Sequence, residues 1–195
     1  EKDKQSYYLT LASNEVKRLS RMVESMLSIS RLESAEFILK PEIFDIKEVL
    51  LSVVLSQERR IEEKNIEIKG LDTINSLSVN ADKDLLYRVI YNLVDNAIKF
   101  TNEDGKIEFN LFSDSKNMIF TVTNTGKGIK KSDIPYLFER FYKTDKSRSE
   151  NKNSTGLGLY IVKTIIKKHG GNITVSSVEN EHVTFKVALA LNLRQ

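Results

Sequence analysis

The most informative pattern of apolar and polar positions lies in residues 85–101, LLYRVIYNLVDNAIKFT. Its apolar side chains recur at steps of three and four, which predicts an amphipathic helix with one buried face. Asn92, Asn96 and Lys99 fall on one stripe beside that face. Asparagine is a poor helix former, less favourable than alanine by up to about 0.7 kcal/mol. Two asparagines one turn apart therefore either belong to a solvated surface or serve a function, and this helix alone leaves both open.

Residues 7–37 form a second helical pattern, without glycine or proline. Their apolar side chains alternate three- and four-residue steps, which is typical of helices that pack in a bundle. We expect this helix to pack against another helix or a second copy of itself, although it could instead fold back onto its own domain. Pro41 then breaks the helical pattern.

The remaining chain predicts a mixed α/β fold that begins with a helix over residues 46–63. Short strands are predicted over 66–69 and 77–80, joined by a polar turn, and longer strands over 106–113 and 118–123. A helix over 156–169 ends at Gly170 and Gly171 and precedes a closing hairpin over 173–189. The polar stretch KTDKSRSENKNS, residues 143–154, contains no apolar residue, so we expect it to be mobile.

Composition narrows the classes of protein that fit these elements. The chain has 195 residues, of which 40% are hydrophobic and 29% charged, as expected for one globular domain with an additional element. The net charge of +3 is spread along the chain, so we infer no nucleic-acid partner. The absence of cysteine excludes disulfides, cysteine-bound zinc and thiol chemistry. Because the chain opens on EKDKQ without Met and has no membrane-spanning run, we expect a fragment whose membrane contact lies only in upstream segments.

Two glycine-containing turns could bring backbone close to a ligand. The first contains Gly126 and Gly128 after a strand, and the second contains Gly156 and Gly158 before a helix. Neither completes G-x-G-x-x-G, and neither contains the P-loop sequence, so dinucleotide-binding and P-loop folds are excluded. The protein-kinase motifs are absent as well. Each of these glycine turns alone is explained as well by a structural role, in a turn or a helix cap, as by ligand binding.

The order of the motifs is more specific than any one of them. The sequences NLVDNAIKF, NTGKGI, LFERFYK and TGLGL resemble the N, G1, F and G2 boxes of sensor histidine kinases, which belong to the ATP-binding superfamily of gyrase, Hsp90 and MutL. RLSRMVESMLSISRLES resembles the second helix of their dimerisation and phosphotransfer hairpin. The resemblance implies an α/β two-layer sandwich, with helices on one face of a mixed, mostly antiparallel sheet and a long, coiled-coil-like helix before it. It divides the chain into the hairpin helix and linker, 1–40, and an ATP-binding catalytic domain, 41–195.

The resemblance also implies roles for individual residues. Asn96 would hold Mg²⁺ through its amide oxygen, Asn92 would support the metal and phosphates, and Lys99 would meet phosphate as a point charge; these are the implied catalytic residues. Phe138 and Phe141 would anchor a lid or serve as core aromatic residues. The further implied nucleotide-binding residues are Phe100, Asn124, Gly126, Gly128, Ile129, Phe138, Tyr142, Lys143, Thr155, Gly156, Leu157, Gly158 and Leu159.

The implied activity is that of a protein-histidine kinase with ATP and Mg²⁺ as cofactors. Asn92 stands where the superfamily's ATPases have a glutamate that activates water. An amide cannot act as a general base, so phosphoryl transfer is favoured over hydrolysis.

The implied partners are a second copy of the chain, bound through the hairpin, and a response regulator. The implied location is the cytoplasmic side of a bacterial membrane-anchored sensor. Residues 143–154 would form a lid, and Arg140 is a weaker candidate for nucleotide contact. The alternatives are an ATP-hydrolysing or serine-kinase relative and a non-catalytic nucleotide-binding scaffold.

Three features depart from the family pattern. Asn124 replaces the usual aspartate, so we expect retained adenine binding with weaker exclusion of guanine. Asn153 and Ser154 replace glycines, which would stiffen the junction before the last helix and lower nucleotide affinity. No histidine lies in the expected phosphoacceptor setting: His169 follows a helix, where a basic group is favourable, and His182 belongs to a strand. We therefore expect no autophosphorylation by this chain alone.

Overall fold

The computed structural model describes residues 2–114, 116–144 and 155–191. The elements in chain order are α1 (Lys2–Glu33), β1 (Glu42–Asp45), α2 (Ile46–Ser56), α3 (Glu58–Glu63), β2 (Glu67–Lys69), β3 (Ser78–Ala81), α4 (Lys83–Phe100), β4 (Lys106–Ser113), β5 (Asn117–Thr125), a 3-10 turn (Ile134–Tyr136), α5 (Gly158–Lys168), β6 (Asn172–Val178) and β7 (His182–Ala190). No helix within these described residues has the length and apolar character needed to cross a membrane.

The larger sheet has the strand order β2-β4-β5-β7-β6, in which only the β2–β4 pair is parallel. Its register places Phe109 opposite Val122, and Val122 opposite Phe185. These three side chains are buried, whereas Glu108 and Lys186, on the opposite face, are exposed. Because residues alternate between faces along a strand, the sheet has one core face and one solvent face. The predicted mixed, mostly antiparallel sheet is confirmed.

Helices α2, α4 and α5 cover the core face of the sheet. Ile46, Ile90 and Ile166, one from each helix, surround a small apolar cavity together with Phe120 and Val187 of the sheet. Each of these side chains is at most 3% exposed, so the helices form a continuous layer over the strands. The predicted arrangement of helices on one face is therefore confirmed.

The ends of α4 and α5 follow from local sequence. Asp82 is the N-cap of α4, where its carboxylate accepts a hydrogen bond from the Leu85 N–H at 3.2 Å. Gly170, with φ of +69°, follows α5 and donates its N–H to the Lys167 carbonyl, while Gly171 donates to the Ile166 carbonyl. This is the Schellman arrangement, which needs a left-handed residue at Gly170. The predicted glycine stop is confirmed.

Several predicted boundaries are wrong, and local hydrogen bonds explain two of them. The helix predicted over 46–63 is divided at Gln57, whose N–H bonds to the Val54 carbonyl and whose buried side chain accepts from Arg60 at 2.7 Å. The first helix ends at Glu33 rather than 37, because the Ser34 hydroxyl accepts the Glu36 N–H and so competes with the helix.

The two short strands predicted as neighbours belong to different sheets. β2 pairs in parallel with β4, whereas β3 pairs with β1 in a separate two-stranded sheet. Gly70 ends β2 with φ of +88°, and a Cβ there would lie 2.0 Å from the Phe109 carbonyl oxygen. The chain thus leaves the larger sheet at Gly70. Strand β1 was not predicted at all, because its partner lies far along the sequence.

Among the described residues, the C-terminal turns of helix α1 pack on the rest of the domain. Ile29 and Leu32 are 4% and 2% exposed and join the main core, with Met22 partly buried against it. Leu9 and Val16, earlier in the same apolar stripe, are 64% and 65% exposed in this single chain. The expected pairing of this stripe with a further helix or a second copy stays a prediction, as does the division of the chain at residue 40.

Candidate functional site

The polar stripe of α4 lies beside the first residue of α5. Asn92, Asn96 and Lys99 are all half-buried along this side of the helix. The Asn92 amide nitrogen donates to the Arg88 carbonyl at 2.7 Å, which fixes the orientation of the amide group. A Cβ placed on Gly158 would lie 2.8 Å from Asn92 Oδ1. The structure therefore brings the asparagine helix and the last glycine motif into contact, and the contact depends on glycine.

The end of β5 packs against the end of the same helix. Asn124 is 4% exposed and lies on the core face of the sheet, where its amide nitrogen donates to the Thr125 carbonyl at 3.1 Å. Gly126 approaches so closely that a Cβ would lie 2.4 Å from the Phe100 carbonyl oxygen. Phe100 itself is 39% exposed at the helix terminus. Asn124 and Gly126 are thus placed against the C-terminal end of α4.

The turn after β5 is held against strand β6. Gly128 has φ of +64°, and a Cβ there would lie 2.4 Å from the Val178 carbonyl oxygen. The Ile129 N–H donates to the Ser177 hydroxyl at 2.9 Å, and the Ile129 side chain packs partly buried against the core. Close backbone packing and a left-handed conformation together explain the glycine at position 128.

A third part of the site comes from residues 138–143. The Phe138 ring makes an edge-to-face contact with Phe185, with ring centroids 6.4 Å apart. Phe141 is 48% exposed, and its anchoring is through the backbone, since its N–H donates to the Gly156 carbonyl at 3.1 Å. Gly156 has φ of +73°, and a Cβ there would lie 2.9 Å from the Phe141 carbonyl carbon. Of the two aromatic residues, Phe138 is a core contact and Phe141 is not.

Positive charge gathers near the end of α4. Burial lowers the pKa of the Lys99 ammonium, and the nearby positive charges of Lys143 and Arg60 lower it further. The negative charge of Asp95 acts in the opposite direction and raises it. Arg60 is itself paired with Asp95 at 2.6 Å. Two lysines from separate segments therefore approach each other at a half-buried position, which is an arrangement that favours an anionic ligand.

Tyr142 and Arg140 have partners within the protein. The Tyr142 hydroxyl donates to an Asp133 carboxylate oxygen at 3.0 Å. The Arg140 guanidinium donates to Glu33 at 2.5 and 2.6 Å and to the Tyr160 hydroxyl at 3.1 Å. Arg140, a weaker candidate for nucleotide contact, is thus bound to the last residue of α1.

At the start of α5, the groups available to a ligand are mainly backbone atoms. Leu157 is 1% exposed and Leu159 packs partly buried against the core, so Leu157 offers a ligand only its backbone. The Thr155 hydroxyl accepts the Leu157 N–H at 3.4 Å. No side chain of the described residues caps the first turn of α5. The positions Asn153 and Ser154, and the predicted lid beyond Thr144, lie outside the described residues.

Lys64 supports the site and was not predicted. Its ammonium donates to the carbonyl oxygens of Ile98, Lys99 and Thr101 at 2.9, 3.1 and 2.8 Å, and so binds the C-terminal end of α4. Burial lowers the pKa of Lys64. No local pattern in the sequence indicates this lysine, because its partners lie more than thirty residues away.

His169 is structural, as predicted, but not for the predicted reason. Its Nε2 accepts the Asp82 N–H at 3.2 Å, so Nδ1 carries the proton and donates to the Ile165 carbonyl at 2.9 Å. The ring is 3% exposed, and burial lowers its pKa. It therefore joins α5 to α4 as a neutral imidazole rather than as a cation at a helix end.

The chain matches the family described as histidine kinase-, DNA gyrase B-, and HSP90-like ATPase over residues 81–193. This range contains the asparagine helix, both glycine turns and α5. The chain belongs to this family.

Within the family its similarity is to the sensor histidine kinases. It is 34% identical over 175 residues to the heme sensor protein HssS of Staphylococcus haemolyticus, covering 90% of this chain and 37% of that protein. The structure of Acinetobacter baumannii histidine kinase AdeS is similar with a TM-score of 0.75 and 28% identity, over 91% of this chain and 81% of that one. Histidine kinase ThkA, solved in complex with response regulator protein TrrA, gives a TM-score of 0.73 and 29% identity over 94% and 50% of the two chains. The chain is a histidine kinase ATP-binding domain, and it spans about 37% of the length of its relative HssS.

Proposed function

We propose that this chain binds ATP with Mg²⁺ and transfers the γ-phosphoryl group to a histidine on a separate helix. The observation that carries the proposal is the contact between Asn92 and Gly158, which joins the asparagine stripe of α4 to the uncapped first turn of α5. Lys99 and Lys143 add positive charge at the same end of α4. Amide oxygens, free helix N–H groups and ammonium groups are together suited to a metal-bound triphosphate.

The residues present fit Mg²⁺ held largely by phosphate. Among the described residues no group of three or more histidine, cysteine, aspartate or glutamate side chains could form a protein-only metal site. Magnesium commonly binds through one or two protein oxygens together with substrate phosphates and water. Asn96 would supply an oxygen, and Asn92 would support it with the oxygen that faces Gly158. The bound ion would neutralise charge on the phosphates.

The chemistry of Asn92 favours transfer over hydrolysis. Its amide nitrogen is committed to the Arg88 carbonyl, and its oxygen is too weakly basic to take a proton from water. Catalysis would then rest on positioning and charge stabilisation, with Lys99 and the backbone of Gly156 and Gly158 around the phosphates. A histidine acceptor needs no base of this kind, since its neutral imidazole is already a nucleophile.

We propose that Asn124 gives a limited preference for adenine. With its amide nitrogen bound to the Thr125 carbonyl, the remaining oxygen is an acceptor suited to the adenine amino group. Guanine would require the reverse orientation, which forfeits the bond to Thr125. A hydrogen bond contributes about 0.5–1.5 kcal/mol net, so adenine should be preferred by about 2- to 12-fold. Phe100, Gly126, Gly128 and Ile129 would line the same end of the site.

The partners are proposed from the relatives and from α1. Since ThkA was solved with a response regulator, we propose that a response regulator receives the phosphoryl group in this system. The exposed apolar stripe of α1 fits a dimeric helical hairpin, and a membrane-anchored sensor is the proposed whole protein.

Calorimetric titration of ATP, with and without Mg²⁺, tests the nucleotide site. We expect saturable binding that Mg²⁺ strengthens and that Asn96→Ala weakens severalfold. Asn110→Ala is the matched control, because Asn110 is an exposed asparagine on the solvent face of β4. Absence of binding under all conditions would contradict the proposal, whereas binding without phosphotransfer would favour the non-catalytic nucleotide-binding scaffold.

Phosphotransfer is tested separately with labelled ATP and an added helical hairpin that carries the acceptor histidine. Acid-labile label on the hairpin is the expected product. Release of inorganic phosphate without the hairpin would instead identify an ATPase, and acid-stable label would identify a serine kinase.

A further inference from the structure

The last residue of α1 is bound to two residues that flank the candidate nucleotide site. Glu33 accepts hydrogen bonds from the Arg140 guanidinium at 2.5 and 2.6 Å and from the Tyr160 hydroxyl. The Arg140 guanidinium also lies over the Tyr160 ring, 4.8 Å from its centroid. Hydrogen bonds from Tyr160 and Arg140 lower the pKa of the Glu33 carboxyl. We call this cluster of Glu33, Arg140 and Tyr160 the Glu33 latch.

The Glu33 latch contacts the chain on both sides of the phosphate-binding glycines. Arg140 precedes Phe141, whose N–H donates to the Gly156 carbonyl, and Tyr160 lies two residues after Gly158. Arg140 and Tyr160 therefore belong to the two segments that meet at Gly156. A carboxylate that holds both of them fixes the separation of these segments.

A second contact joins α1 to the asparagine helix. The Arg88 guanidinium, half-buried, donates to the Ser28 hydroxyl of α1. The carbonyl of the same Arg88 accepts the Asn92 amide at 2.7 Å. The C-terminal turns of α1 thus contact both helices whose side chains and backbone form the site, and Ile29 and Leu32 are buried in the main core.

We propose that Glu33 couples the position of α1 to nucleotide binding, by holding Arg140 and Tyr160 so that the backbone at Gly156 and Gly158 is ready to receive phosphate. The proposal rests on the proposed nucleotide site and adds its regulation. Coupling of this kind is reciprocal, so nucleotide must also tighten the end of α1. A movement of α1 that separates Glu33 from Arg140 lowers nucleotide affinity without any change in the residues that contact the ligand.

The test compares ATP affinity in the full 195-residue chain, Glu33→Gln, Tyr160→Phe and the double variant. Because the ion pair is partly exposed, we expect each single variant to bind ATP about two- to fivefold more weakly. The double variant should bind ATP more weakly than either single variant. Its fold-change in affinity should nevertheless be smaller than the product of the two single fold-changes, since both substitutions disrupt the same cluster. Glu24→Gln is the matched control, because Glu24 is an exposed glutamate on α1 that accepts a hydrogen bond from Ser20 of its own helix.

Hydrogen exchange at the last turn of α1 separates coupling from simple destabilisation. ATP should increase amide protection at residues 30–34 in the unchanged chain and in Glu24→Gln, and this increase should be lost in Glu33→Gln. Binding of ATP with equal affinity in Glu33→Gln, or an unchanged ATP-dependent protection in that variant, would overturn the latch while the nucleotide site stands. An unchanged chain that binds no nucleotide would overturn the proposed function and the coupling with it.

Discussion

Replacing Gly158 with alanine tests whether the contact between α5 and Asn92 belongs to the working site. The new Cβ would lie 2.8 Å from Asn92 Oδ1, closer than real Cβ contacts, so the Asn92 amide has to move. Its movement strains or breaks the 2.7 Å hydrogen bond to the Arg88 carbonyl. The net contribution of such a bond is about 0.5–1.5 kcal/mol, so ATP affinity should fall about 2- to 12-fold.

The same substitution should change the stability of the fold only slightly. Gly158 is the first residue of α5, and the gain from replacing glycine with alanine in a helix, up to about 1 kcal/mol, offsets most of the cost of the strained Asn92 hydrogen bond. Gly158→Ala should therefore unfold in urea at nearly the same denaturant concentration as the unchanged chain. A loss of ligand affinity without a comparable loss of stability is the signature expected of a residue that shapes the site.

Gly170→Ala is the matched control with the opposite expected signature. Gly170 has φ of +69° and no atom within 4 Å of its Cβ position, so alanine there meets backbone strain but no neighbour. Such strain costs about 1–2 kcal/mol, whereas ATP affinity should be unchanged. If Gly158→Ala binds ATP as tightly as the unchanged chain, the reasoning from the Asn92 contact is refuted.

Two further predictions concern supporting residues. Burial lowers the pKa of His169 in the folded chain, so its contribution to stability should be fully present above about pH 6.5, the ordinary pKa of histidine. Stability should fall as the pH drops from there to the folded pKa, because the unfolded chain takes up the proton first. Urea unfolding at pH 8 and pH 5 measures this fall, and an equal loss of stability in a His169→Gln variant would contradict the prediction. Lys64→Met removes the ammonium that binds three carbonyls at the end of α4, and it should lower the free energy of unfolding by about 1–3 kcal/mol. Lys163→Met, at an exposed lysine, is the control, and equal stability of the two variants would refute this role for Lys64.

The sequence was most informative where structure depends on nearby residues. Helix α4 was predicted within two residues of its observed ends, because its apolar spacing is a local signal. The antiparallel strands β4 and β5 were predicted well for the same reason, since alternation and a short turn are contained in adjacent sequence.

The parts that were missed depend on residues far apart in the chain. Strand β1 pairs with β3 across two intervening helices, and Lys64 reaches carbonyls 34 to 37 residues away. Glu33 and Arg140 are 107 residues apart, so no pattern along the chain connects them. The motif order predicted which residues converge on a site, but the contacts that support that site were visible only in three dimensions.

The strand order of the larger sheet determines when this site is completed during synthesis. β5 carries Asn124, and its second neighbour is β7, the last strand of the described chain, which pairs Val183 with Asn124. A nascent chain that has released β5 but not β7 therefore has a long apolar strand with one unpaired edge, which is prone to join another chain. Contacts of such high sequence separation also slow folding. This end of the sheet can therefore mature only after the ribosome has also released β7.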